Sequence, residues 1–136
     1  MAMRYITALF IALLSTQAFA LTNAEWLPGA RSELATKNKN IEFTKAWQKD
    51  ACARMSAGEI NRCNALFSDI LVRREFEKAE LITLIGLVEK GMEENTREIL
   101  SVRYNQLNEK TNTLFETAAS IFPREPRTDT GGGKKK

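Results

Sequence analysis

An all-α fold follows from three observations. No proline occurs between residues 57 and 122, apolar residues there recur at three- and four-residue steps, and the only two cysteines, Cys52 and Cys63, flank what reads as a helix-to-helix corner. The expected architecture is a short N-terminal helix followed by a long helical hairpin, or coiled-coil-like pair of helices, stapled by one disulfide.

The chain opens with MAMRYITALFIALLSTQAFA, which carries one positive charge at Arg4, an apolar run from Ile6 to Leu14, and the small-x-small pattern Ala18-Phe19-Ala20. This is the layout of a secretory signal peptide cleaved after Ala20, which places the mature protein in a periplasm or outside the cell, with bacterial export preferred. The alternative is a leader retained as an anchor, although its apolar part falls short of the ~20 residues that span a bilayer. Residues 21–122 are then the helical domain and residues 123–136 a flexible basic tail.

Within the domain, Pro28-Gly29 is expected to break any early helix, and Ser32 to cap a short segment running to Lys37. The polar run Thr36 to Asn40 reads as a loop. Residues 41–54 form the first firm helix, with Phe43, Trp47, Ala51 and Met55 on one face. Ser56 and Glu59 fit a capping box that starts the next helix at Ala57.

In an exported chain an even number of cysteines reads as disulfide-bonded. A zinc site needs about four ligands, and the chain has two cysteines and no histidine. A thioredoxin-type centre needs Cys-x-x-Cys, whereas ten residues intervene here. A structural Cys52–Cys63 staple is therefore expected, constraining the unfolded chain by about 3 kcal/mol on the loop-entropy model.

From Ala57 onward, Leu81, Ile85, Val88 and Met92 make one apolar stripe, and Leu100, Leu107, Leu114 and Ile121 make a second with a seven-residue repeat. The two stripes are out of register, so a break is expected between Val88 and Glu98. Gly91 is the candidate hinge, with Asn95 or Thr96 capping the helix beyond it. These eight apolar residues are the candidate interaction face. The run Leu81 to Val88 is apolar on every side, which suits either a central core helix or a docking patch.

The tail, PREPRTDTGGGKKK, has no large apolar residue, and Lys134, Lys135 and Lys136 suit weak contact with an anionic membrane. Cleaving the leader removes Arg4 and leaves 19 basic against 17 acidic residues, and the three terminal lysines account for the remaining excess. A near-neutral body argues against nucleic-acid binding. Without histidine there is no Ser-His-Asp arrangement, and no glycine-rich phosphate loop is present. No catalytic residue, metal or cofactor is expected.

The expected function is that of an exported, non-enzymatic helical interaction protein with a protein partner or a second copy of itself, such as an accessory subunit of a cell-envelope, conjugation or secretion assembly. The alternative is a membrane-active or chaperone-like protein that combines its apolar face with the lysine tail. A leader, a small mature chain and long helices are shared with accessory proteins of bacterial conjugation and type IV secretion and with periplasmic holdase chaperones. No motif carries either comparison, and no residue takes a role from it.

Overall fold

The computed structural model describes residues 21–122; the leader and the tail, with Lys134, Lys135 and Lys136, lie outside the described residues. Three helices of similar length follow one another: α1 (Asn23–Ala53), α2 (Ile60–Glu89) and α3 (Glu94–Ile121), with no strand among the described residues. Both connections are short, so α2 runs antiparallel to its neighbours and α1 runs parallel to α3. The result is an up-down-up bundle roughly 45 Å long at 1.5 Å per residue.

The expectation of a short first helix is overturned, because α1 is the longest of the three at 31 residues. Thr22 caps it through a full capping box: the Glu25 N–H donates to the Thr22 hydroxyl, and the Thr22 N–H donates to the Glu25 carboxylate. Pro28 lies inside the helix rather than ending it. A proline deprives the carbonyl four residues earlier of its donor. Here that residue, Ala24, is exposed, and water can substitute. The polar run Thr36 to Asn40 is helical because Lys37 faces inward. Ala30, Lys37, Thr44 and Ala51, spaced by sevens, are all buried.

At the first corner the Ser56 hydroxyl cap is not formed. The Glu59 and Ile60 N–H groups both donate to the Ser56 backbone carbonyl at 3.0 Å, and α2 begins at Ile60 without a side-chain cap. The Cys52–Cys63 disulfide is present, with a Cα–Cα distance of 5.6 Å, joining the last turn of α1 to the first turn of α2.

Gly91 ends α2 at the second corner with φ of 101°. The Met92 N–H reaches back to the Leu87 carbonyl at 3.1 Å and the Gly91 N–H to Val88 at 3.0 Å, the paired bonds of a Schellman cap. Neither Asn95 nor Thr96 caps α3. Both lie within it, and Glu93 takes the N-cap position without a side-chain bond. The turn is tied instead to α1, whose Asn23 donates to the Glu94 carboxylate and to the Met92 carbonyl.

Candidate interaction surface

Two apolar clusters hold the bundle, one at each end. Around the disulfide, Trp47, Phe67, Ile70, Ala118 and Phe122 pack together. Trp47 meets Phe67 edge-on at 4.7 Å between ring centroids and donates its indole N–H to the Phe122 carbonyl. Near the Gly91 turn, Ala30, Leu81, Ile85 and Tyr104 form the second cluster.

A buried polar layer separates the two. Lys37 of α1 donates to Glu77 of α2 at 2.8 Å, and Arg74 reaches the same carboxylate oxygen at 3.1 Å. Thr111 of α3 donates to the other oxygen. Arg74 also donates to Asn108 and Asn112, and Lys37 to Asn108. The Lys37 ammonium lies 5.3 Å from the centroid of the Tyr104 ring, whose hydroxyl donates to Glu33. Burial, then the bond to Glu33, pushes the Tyr104 phenol well above its ordinary range. Lys37, Arg74, Glu77 and Thr111 are all enclosed, so both oxygens of Glu77 are spent on partners and closed to a substrate.

A groove of about 540 Å³ lies between α1 and α3, with Leu81 and Leu84 lining it and Glu25, Glu33 and Glu98 among the residues at its edge. Each of these carboxylates already accepts a bond: Glu25 within the α1 cap, Glu33 from Tyr104, and Glu98 from Arg97. Among the described residues no group of three or more His, Cys, Asp or Glu is placed to hold a metal ion, and no helix is long and apolar enough to cross a membrane.

The face read from sequence as an interaction surface is mostly interior. Leu81, Ile85 and Val88 are buried; Met92, Leu100, Leu107 and Leu114 are half-buried; Ile121 alone is open, at 56 % exposed. On α3 the buried line is Arg97, Tyr104, Thr111 and Ala118, the companions of the leucine ladder rather than the ladder itself.

Open apolar side chains occur on all three helices, Phe43 on α1 and Ile99, Val102 and Ile121 on α3 among them, and the largest group lies on the opposite side of α2. Val72 is 68 % exposed, Phe76 and Ile82 are each 48 % and Leu87 is 40 %. Ala79 and Thr83 lie exposed among them. The run Leu81 to Val88 is therefore shared, with Leu81, Leu84, Ile85 and Val88 turned inward and Ile82, Thr83 and Leu87 outward. Val72 and Phe76 fall about a half-turn from Arg74 and Glu77, and nothing in their spacing says which pair faces inward.

Fold and surface together define a disulfide-closed three-helix bundle whose central helix is apolar on two sides. Comparison of the chain with protein-family models, with curated proteins and with solved structures finds no match.

Proposed function

We propose that the chain is an exported, non-enzymatic helical interaction protein, an accessory subunit of a cell-envelope assembly such as a conjugation or secretion machine, and that its contact surface is the outer face of α2. One observation carries this reading: Val72, Phe76, Ile82 and Leu87 stand open on a helix whose other side already fills the core. Four large apolar residues grouped on one face are more than scattered surface hydrophobes and mark a contact site. The bonded cysteine pair supports an oxidising compartment, in keeping with the leader pattern.

Site-directed photo-cross-linking in the producing cells tests it. A benzophenone residue in place of Phe76 should give adducts above the monomer mass, while the same group in place of Gln106, an exposed polar position on α3, should give none. Equal labelling at the two positions would sink the assignment.

A further inference from the structure

We propose that the outer face of α2 pairs with the same face of a second copy of this chain, in antiparallel fashion about a two-fold axis level with Glu77 and Lys78. The proposal rests on the reading of this face as a contact surface and names its occupant. Asp69, Val72, Phe76, Ala79, Thr83 and Gly86 follow one another at alternating three- and four-residue steps along the outer side of α2. The inner face repeats the same steps through Phe67, Ile70, Arg74, Glu77, Leu81 and Leu84, where it packs against α1 and α3. Such spacing keeps a straight seam toward a neighbouring helix. The inner seam has its neighbours within the chain, and the outer seam is open.

Size and charge both select an antiparallel copy. Laid head to tail about that axis, Phe76 of one chain comes opposite Ala79 of the other, Val72 opposite Thr83, and Asp69 opposite Gly86. The Phe76–Ala79 and Asp69–Gly86 layers set a larger side chain against a smaller one, Val72 meets the near-isosteric Thr83, and two-fold symmetry repeats each layer. In this arrangement each flank of one helix faces the identical flank of its copy. On one flank Arg73, which also bonds Asp69 of its own helix, then lies beside Glu80 of the second chain. Symmetry doubles this pair, giving two contacts of opposite sign next to the seam. A parallel arrangement would instead set Phe76 against Phe76 and Arg73 at the height of Arg73, losing both complementarities. Charges flanking a helical seam set orientation and partner in this manner. On the other flank Ile82, level with position 73 of the copy, lies two residues from the level of Leu71 and of Glu75 there.

Sedimentation equilibrium on the full-length mature chain, from about 1 to 500 µM, tests the proposal together with a charge exchange. The native chain should associate to twice the monomer mass. Phe76→Glu should raise the dissociation constant at least ~10-fold, since a buried charge without a partner opposes pairing. Arg73→Glu and Glu80→Arg should each weaken association several-fold, and the double exchange should restore it. Residues 73 and 80 are two helical turns apart within one chain, so recovery reports a contact between chains. Circular dichroism should stay unchanged in all four variants.

A native chain that stays monomeric throughout this range overturns the proposal, as does a double exchange that fails to recover. Two further outcomes overturn it while separating it from the broader reading. A monomer that still gives Phe76 photo-adducts of another mass keeps the contact face and replaces its occupant. A monomer that floats with anionic vesicles only when Phe76 is intact assigns the face to lipid.

Discussion

Glu77 is the residue on which the interior turns. It accepts from Lys37, Arg74 and Thr111, one or more donors from each of the three helices. Substituting it with leucine leaves two buried cations without their carboxylate, and breaking a buried pair in this way costs about 3–5 kcal/mol. Urea unfolding of Glu77→Leu should show that loss. Replacing Lys37, Arg74 and Glu77 together with apolar residues should cost much less, because no charge is then stranded. Tyr104 adds a pH dependence at the same level. Its phenol is held protonated in the folded chain by burial and by Glu33, while the ordinary value is 10.0. The folded state therefore keeps a proton that the unfolded chain releases, and stability is full below about pH 10 and falls above it. The denaturant midpoint should decline on the alkaline side, and Tyr104→Phe should flatten that decline.

Each helix shows a different relation between local sequence and structure. α2 was readable, since apolar steps run to Ile70 and again from Leu81, with Arg74 and Glu77 between them, and Gly91 announces its end. The positive φ at Gly91 predicts that Gly91→Ala destabilises by about 1–3 kcal/mol, the cost of a strained backbone. A helix running straight through would instead gain slightly from the alanine. Amide exchange should also be faster near Gly91 than within α2 or α3. α1 was misread because its inward line contains Lys37 and Thr44, so the heptad through Ala30 and Ala51 does not show as apolar. The partner that makes Lys37 a core residue is Glu77, 40 positions away, and no local pattern reveals it. The Thr22–Glu25 box that starts α1 was present in the sequence. Thr22→Ala should cost about 1 kcal/mol.

At the scale of the whole molecule, two apolar clusters flank one polar layer, and the disulfide closes the end farther from Gly91. The fold class and the staple could be read from the sequence because proline placement and cysteine count are global features. The outward face of α2 could not, because a helix apolar on both sides looks the same in sequence whichever side is inside. Arg74 and Glu77 lie on the inner side, where charge is rarely found. Reducing Cys52–Cys63 should cost about 2–4 kcal/mol, leaving much of the helical signal while the first corner loosens.

α2 has one side that holds the fold and another that does not. Urea unfolding of Leu81→Ala and Phe76→Ala, at concentrations dilute enough to keep the chain monomeric, compares the two sides directly. Leu81 is 2 % exposed, and its truncation should cost about 2–5 kcal/mol through lost burial and a cavity. Truncating Phe76 should change stability by no more than about 0.5 kcal/mol, as at an ordinary surface position. Equal losses at the two positions would mean that the outer face is packed within the single chain, and would contradict the account.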